Sequence, residues 1–328
     1  MDALISLIAA AITFGTVLMF GTLGEILTEK SGNLNLGVEG IMFMGGAFGL
    51  GGTFYYEQAV GEANSNVLVA LLIAILAAFA AGAIASAIFS FITITLRANQ
   101  NVTGLALTIF GTGVGQFTGE YMRVRQGGYV ALSNHLKEFF AGSIFPAGMQ
   151  EIPVLGKLLF SHTLFFYLAL ILAVAMYLFL YKTRVGMNLR AVGENPATAD
   201  AAGINVIRYK YLATILGGGI SAVGGMVYIV TTAGCVWNHE GLSGVGWLAV
   251  ALVIFCLWHP LSAIWGSVLF GALMILYLRL VIPFIPTQLY KILPYVVTVI
   301  VLVISSMRNN KEKQPPASLG LPYFREDR

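Results

Sequence analysis

The sequence contains few charged residues: 18 Lys and Arg and 15 Asp and Glu in 328 positions, or 10%. Soluble domains carry roughly 25% charged residues, and a soluble globule with so few would expose large apolar patches. Hydrophobic residues make up 58% of the chain. This composition excludes a cytosolic enzyme and predicts an integral membrane protein. The net charge of +3 is too small to indicate a nucleic-acid partner.

Cysteine and histidine are also scarce, with two Cys and four His in the chain. Cys235 and Cys256 cannot build a disulfide framework, so we expect them to be small packing residues in apolar surroundings. The His residues and carboxylates show no metal-ligand or catalytic spacing. No Gly-x-x-x-x-Gly-Lys-Ser/Thr motif occurs, so the chain is not expected to bind ATP itself. We therefore predict no metal, no cofactor and no catalytic residue.

Long apolar runs and glycine are abundant. The 38 glycines favour close packing of membrane helices. A transmembrane helix needs about 20 mostly apolar residues. Nine runs fit: 3–27, 34–52, 66–96, 101–120, 163–181, 209–232, 244–258, 261–280 and 288–306. The expected fold is an all-α polytopic membrane helix bundle of about nine spans, with broken helices where polar residues interrupt the runs.

The basic residues predict the orientation. Residues 182–210 contain five Lys and Arg, and the tail 307–328 contains five more. Because Lys and Arg concentrate in cytoplasmic segments, both segments are expected inside, with four spans between them. Counting back places the N-terminus and the 121–162 loop outside. Residues 1–306 are expected to form a single transmembrane domain.

The first polar interruption lies at 31–40. Asn33, Asn35 and Glu39 fall within seven residues and are framed by glycines. This stretch is either a tight cytoplasmic turn or a discontinuous helix whose amides and side chains face a substrate path. Glu39 lies inside the following apolar run, where ionisable groups are costly and usually functional.

The second interruption is 99–104, in which Asn101 is interpreted as a helix N-cap with Thr103 in the first turn. Thr108, Thr112 and Gln116 follow at four-residue spacing and therefore share one helix face. Hydrogen bonding between helices and the lining of a cavity explain this polar stripe equally well.

The third interruption contains Trp237, Asn238 and Trp247. The Trp residues are either interfacial anchors or stacking surfaces for a planar ligand whose edge Asn238 would bind. Gly244-Val245 precedes an apolar helix as Gly37-Val38 does in the first interruption. With opposite helix directions, this similarity suggests an inverted repeat.

The polar loop 182–210 predicts a short helix. Asn195 is a good N-cap, Pro196 suits the first helical position, and Gly203 can end the helix. A helix of about two turns is too short to persist alone in water. We expect either a partner on it or a structured loop without one.

This loop also carries a specific resemblance. Residues 183–204, TRVGMNLRAVGENPATADAAGI, are similar to the coupling loop of bacterial ABC importer permeases, the family that includes branched-chain amino acid, ribose and nucleoside permeases. The stretches 32–40, with the core Asn-Leu-Gly-Val-Glu-Gly, 152–156 and 244–260 agree with that family. The resemblance covers about 15–305 and is strongest to permeases for nucleosides or simple sugars that are partnered by basic membrane lipoproteins.

The resemblance implies a subunit of the bacterial plasma membrane with several partners. These are the lipid bilayer, a second and different permease chain, an ATP-binding cassette ATPase subunit, and a substrate-binding lipoprotein on the outer 121–162 loop. The implied ATPase-coupling residues are Arg190, Gly193, Glu194, Asn195, Pro196, Ala199, Ala202 and Gly203.

The leading hypothesis is an ATP-driven importer of nucleosides or related ribosides and simple sugars. The candidate substrate-binding residues are Asn35, Glu39, Asn101, Thr103, Trp237, Asn238 and Trp247. The alternative is an ion-coupled secondary transporter of a small polar solute, in which Glu39 or Glu25 would carry the ion coupling. The helix at 196–203 discriminates between them, because a carrier has no motor to contact.

Overall fold

The computed structural model describes residues 2–150, 152, 156–279, 287–307 and 314–324, and the regular elements in these residues are helices. The helices are α1 (Asp2–Glu29), α2 (Val38–Val60), α3 (Val67–Ser90), α4 (Gln100–Gln126), α5 (Asn134–Ala141), α6 (Ala147–Gln150), α7 (Leu164–Lys182), α8 (Arg184–Glu194), α9 (Pro196–Ala201), α10 (Val206–Val227), α11 (His239–Leu242), α12 (Val245–Phe255), α13 (Pro260–Arg279) and α14 (Thr287–Met307). Short π-helical segments extend α3 and α10 to Thr95 and Thr232. The predicted all-α membrane bundle is confirmed.

The helices differ in how well they match the thickness of a bilayer. Among the described residues, four segments are long and apolar enough to cross a membrane: Ile5–Glu29, Val67–Thr95, Leu164–Lys182 and Val206–Thr232. α2 and α4, with 23 and 27 residues, are also long enough to cross but contain many glycines and polar residues. α12 has 11 residues, so it is about 16 Å long, roughly half of the hydrocarbon core. The predicted run at 244–258 therefore forms a broken helix.

The centre of the bundle is an antiparallel pair, α1 and α10. Gly24 of α1 packs against Gly217 of α10, and the Ser221 hydroxyl donates to the Gly21 carbonyl at 3.1 Å. Farther along, Gly224 packs against Val17 and Phe20. Small residues at these crossings let the two backbones approach closely, which is the main way that helices associate in lipid.

The remaining helices pack around this pair in a symmetric pattern. α10 packs against α2 and α3, and α1 packs against α12 and α13. The α3–α10 crossing pairs Gly82 with Gly218, and the α1–α13 crossing brings Gly15 against Ser267. Exchanging α1 with α10, α2 with α12 and α3 with α13 therefore reproduces the packing. This pattern is that of the inverted repeat suggested by Gly37-Val38 and Gly244-Val245, which lie at the starts of α2 and α12.

The helix ends define two faces. One face carries the end of α1, the start of α10, the helices α8 and α9, and the tail 314–324; we call it the α9 face. There, Thr95 and Tyr211 share a hydrogen bond of 2.5 Å that joins α3 to α10. On the opposite face, the end of α2 meets the α5 region, where the Ser133 N–H donates to the Glu57 carboxylate at 3.1 Å.

The α2–α10 crossing yields a test of the packing. A Cβ on Gly45 would overlap the main chain of Ala222, so Gly45→Leu must push α2 away from α10. We expect a fall of several degrees in the apparent melting temperature of the purified chain in detergent. Gly113→Leu on α4 is the control, because nothing lies within 4 Å of a Cβ there and its melting temperature should not change. Equal melting temperatures of the two variants would contradict the close approach of α2 and α10 at Gly45.

Candidate functional site

Glu39 joins the first and third polar interruptions. Its side chain is 5% exposed and accepts three main-chain N–H bonds from the start of α12: Gly244 at 2.6 Å, Gly246 at 2.7 Å and Trp247 at 3.3 Å. The free N–H groups and the positive dipole end of a helix favour such an anion. The carboxylate of α2 thus caps the N-terminus of α12, about 200 residues away in sequence.

The geometry of this contact depends on two glycines. Gly244 has φ +88°, in the left-handed region that favours glycine, and this conformation turns the chain into α12. A Cβ on Gly246 would overlap the main chain of Glu39, so the close approach of α2 and α12 requires glycine there. Both glycines of the Gly244-Val245-Gly246 sequence are therefore required by the contact between Glu39 and α12.

The loop between α1 and α2 is buried and held by three helices, α1, α4 and α10. Asn33 donates to the Thr214 hydroxyl at 2.9 Å, and the Leu34 N–H donates to Gln100 at 2.7 Å. The Asn35 N–H donates to Glu25 at 3.1 Å, and the Thr108 hydroxyl donates to the Leu36 carbonyl at 2.8 Å. These bonds satisfy backbone that leaves the helix inside the bundle, as membrane proteins require.

The side chains in this loop also show unused polar groups. Asn35 is 1% exposed; its Oδ1 accepts from the Gly37 N–H at 2.9 Å, while its Nδ2 has no partner. Asn33 Oδ1 is likewise buried without a partner. The loop is therefore more than a simple tight turn, because it contacts α1, α4 and α10 inside the protein.

The start of α4 differs from the sequence interpretation. Asn99, rather than Asn101, is the N-cap, since Asn99 Oδ1 accepts from the Val102 N–H at 3.1 Å. The predicted cap was wrong by two residues because both positions carry the same good capping residue. Asn101 is exposed in the first turn, and half-buried Thr103 donates to the Asn99 carbonyl at 2.8 Å.

The residues of the third interruption have separate surroundings. Trp237 is 8% exposed, and its ring packs against Gly119 of α4 so tightly that a Cβ there would overlap it. Asn238 is exposed and caps α11 by accepting from the Gly241 N–H at 3.3 Å. Trp247 is half-buried beside Glu39. Trp237 is therefore enclosed, whereas Asn238 and Trp247 remain accessible.

The structure brings together only part of the candidate substrate set. Glu39 and Trp247 are in direct contact, and Asn35 lies in the loop that precedes Glu39. Asn101 and Thr103 lie on the first turn of α4. None of the seven candidates lines either of the two cavities of about 430 and 290 Å³ on the α9 face. Their role in substrate binding stays a prediction.

The loop after α7 folds as predicted. The Thr198 N–H donates to Asn195 Oδ1 at 3.0 Å, Pro196 begins α9, and Gly203 follows the helix with φ +83°. Ala199 packs with Val192 and Val206 in a small apolar cluster under the helix. The short helix is thus anchored by its buried side and presents Thr198, Ala201 and Ala202 to solvent.

Some of the other implied coupling residues hold α8 in place, and others are exposed to solvent. Arg190 donates to the Leu180 carbonyl at 3.0 Å and stacks on the Tyr181 ring, and Gly193 packs against the Lys30 carbonyl. The exposed members are Glu194, Asn195, Ala202 and Gly203, and Pro196 is half-buried. A partner could therefore touch only the end of α8 and the outer side of α9.

Residues 314–324 of the tail pack on this same element. The Ser318 N–H and hydroxyl both donate to the Gly193 carbonyl, at 3.0 and 2.6 Å, and the Tyr323 hydroxyl donates to Asp200 at 2.9 Å. The Gly320 N–H donates to the Gly32 carbonyl at 3.2 Å. The tail thus ties α8 and α9 to the loop between α1 and α2.

Several of these positions escaped the sequence interpretation. Gln100 and Thr214 hold the loop between α1 and α2, and Ser318 and Tyr323 hold α8 and α9. For Thr214, the available signal was a single polar residue within an apolar helix. The sequence of the tail carried no comparable signal. Within the described residues, no group of three His, Cys, Asp or Glu could hold a metal ion.

A membrane helix bundle with buried backbone breaks and an anchored short helix on one face is the architecture of a transport subunit. The family model for the permease component of branched-chain amino acid transport systems matches residues 7–302. The chain belongs to this family. It is therefore a transmembrane permease subunit of an ABC transporter and not an enzyme, since ATP hydrolysis belongs to a separate subunit.

Similar proteins cover the chain almost end to end. A protein named as a glucose ABC transporter permease from Haloferax volcanii is 31% identical over 98% of both chains. The guanosine ABC transporter permease of Bacillus subtilis is 31% identical over 98% of this chain and 97% of its own. A nucleoside ABC transporter permease of Lactococcus lactis is 30% identical over 91% of each. No solved structure matches the chain.

The Glu39 contact can be tested directly. Glu39→Gln keeps the shape of the side chain but replaces an accepting oxygen by an NH₂ group that faces a donor, so buried N–H groups of α12 lose their partner. We expect a lower apparent melting temperature of the purified chain, and a larger fall for Glu39→Ala. Glu62→Gln, at an exposed position, is the control. Unchanged melting of both Glu39 variants would contradict the cap.

Proposed function

We propose that the chain is the transmembrane subunit of an ATP-driven importer of nucleosides or related ribosides and simple sugars. The observation that carries the proposal is α9, a short capped helix anchored by its buried side and exposed on its outer side. The names of the relatives, which specify guanosine, nucleosides and glucose, support the substrate class. The second permease and a substrate-binding lipoprotein are proposed with it.

The α9 face is assigned to the cytoplasm of a bacterial plasma membrane. Lys and Arg concentrate in 182–210 and in 307–328, and residues 182–210 and 314–324 lie on this face. Because the end of α1 also lies there, the N-terminus is placed outside and the described part of the tail inside. The lipoprotein is then assigned to the opposite face, which contains α5 and α6.

Force from the ATPase is proposed to reach the membrane interior through rigid contacts. The motor would grip Thr198, Ala201 and Ala202 on α9. The bonds of Ser318 and Gly320 connect this element to the loop between α1 and α2. That loop leads to Glu39, which holds α12. Movement of α9 would therefore shift α1, α2 and α12 together and alternate access to a path between the permeases.

The path is proposed to run along α4. This helix exposes Asn101, Gly113 and Gln116 on the side away from α2. An amide such as that of Gln116 is costly in lipid, so this side is assigned to the second permease and the substrate. Asn101, Thr103, Asn238 and Trp247 would contact the solute, whereas Asn35, Glu39 and Trp237 would hold the walls in place.

The ion-coupled alternative loses one of its two carboxylates. Glu39 is bound by three N–H groups of α12 and would have to abandon them to exchange a proton. Glu25, which accepts the Asn35 N–H at 3.1 Å, would have to act in its place.

The end of α9 supplies the test. Gly203→Pro cannot adopt φ +83° and removes the N–H that bonds to the Asp200 carbonyl, so it should deform α9. In proteoliposomes containing the assembled transporter, we expect ATP-dependent nucleoside uptake to be abolished while membrane insertion is normal. Gly203→Asn is the control, since Asn tolerates the left-handed region.

Normal uptake by Gly203→Pro would contradict the proposed function. Uptake that follows an ion gradient in vesicles lacking the ATPase subunit would favour the carrier.

A further inference from the structure

A cavity of about 430 Å³ lies on the α9 face, between the starts of α4 and α10, the end of α9 and the tail. Its volume is in the range of small-ligand sites. The polar and charged lining residues are Asn33, Thr93, Thr95, Arg97, Gln100, Asp200, Asn205, Lys210 and Tyr323. None of the candidate substrate residues is among them.

The strongest feature of the cavity is Lys210. Its side chain is 3% exposed, yet within the described residues its ammonium group has neither an ion pair nor a hydrogen-bond acceptor. A buried charge without a partner is strongly unfavourable, so such groups are normally paired. Lys210 therefore lacks the anion that its burial calls for.

Other groups around the cavity favour the same kind of partner. Arg97 lines it and is held with its guanidinium 4.7 Å from the ring centroid of Phe324. α4 and α10 both begin there, with Gln100 and Val206 in the lining, and helix N-termini attract anions. Two cationic side chains and two helix N-termini thus converge on one cavity.

The remaining lining fits an anion that carries hydroxyl groups. Asp200, the acidic residue of the lining, accepts the Tyr323 hydroxyl at 2.9 Å, so one of its carboxylate oxygens is already bonded to the tail. Asn205, which also lines the cavity and is exposed, could bond to a ligand hydroxyl. Ile94, Ile204 and Pro322 provide an apolar wall for a carbon skeleton.

We propose that this cavity binds a phosphate monoester or diester, with Lys210 and Arg97 on the phosphate and Asn205 on a hydroxyl. Two sources share this chemistry: a small organic phosphate from the solution on this face, or the headgroup of an anionic phospholipid. Because Asp200, Gly203 and Tyr323 line the cavity, the ligand would bridge α9, the tail and the membrane helices. Binding would then regulate the coupling of ATP hydrolysis to transport, an inference that rests on the proposed function.

The binding test uses the full chain in nanodiscs of neutral lipid, without the ATPase subunit. Ribose 5-phosphate is titrated calorimetrically, with ribose as the uncharged comparison, and bound phosphatidylglycerol is measured separately by native mass spectrometry. Lys210→Met should weaken binding of the phosphate about tenfold or more, because it removes a charge-assisted bond. Arg97→Gln, at the exposed rim, is the second variant.

Arg208→Gln is the matched control, since exposed Arg208 lies two residues away and does not line this cavity. Lys210→Met should also raise the melting temperature of the ligand-free chain, because it removes an unpaired buried charge; a merely structural lysine would show a fall.

The outcomes separate the possibilities. Ribose 5-phosphate binding that both cavity variants weaken and Arg208→Gln preserves indicates a soluble ligand. Phosphatidylglycerol retention with the same dependence indicates a lipid. Failure of both probes to bind, or binding unaffected by Lys210→Met and Arg97→Gln, overturns the proposal. These binding measurements involve no transport. A failure of the proposed importer function would appear instead in the uptake assay with Gly203→Pro.

Discussion

The structure depends on one constraint: inside a bilayer, every backbone group that leaves a helix must find its partner within the protein. The chain breaks its helices twice within the protein: before α2, beside the α9 face, and before α12. The carboxylate of Glu39 resolves the second break by accepting the free N–H groups at the start of α12. Side chains from α4 and α10 satisfy the first break. The two halves of the pseudo-symmetric bundle are therefore joined at their most polar points.

This arrangement gives transport a mechanical route. The short helix α9 cannot be stable alone, and the structure supports it from below by Val192, Ala199 and Val206 and from the side by the tail. Ser318 bonds to Gly193 near the end of α8, and Gly320 bonds to Gly32 in the loop between α1 and α2. Consequently, the element proposed to contact the ATPase is connected to the buried breaks by a continuous series of hydrogen bonds and packing contacts.

Much of the fold was predictable because bilayer thickness and hydrophobicity act locally. The apolar runs located the long helices, and Asn195, Pro196 and Gly203 predicted α9, since capping depends on adjacent residues. The partners of Glu39 were not predictable, because its bonds reach residues about 200 positions away. The burial of Trp237 likewise depends on Gly119, a position on another helix. Lys210 was counted only as a cytoplasmic positive charge, although folding buries it.

The most direct test of the account is cysteine cross-linking in the assembled transporter. The native Cys235 and Cys256 are buried, so a cysteine introduced at exposed Ala201 of α9 would react selectively. The account predicts a cross-linked product between Ala201→Cys and the ATPase subunit, and none from Ala63→Cys on the opposite face. An Ala201→Cys chain that reacts with solvent reagents but never cross-links to the ATPase, in a complex that still imports solute, would contradict it.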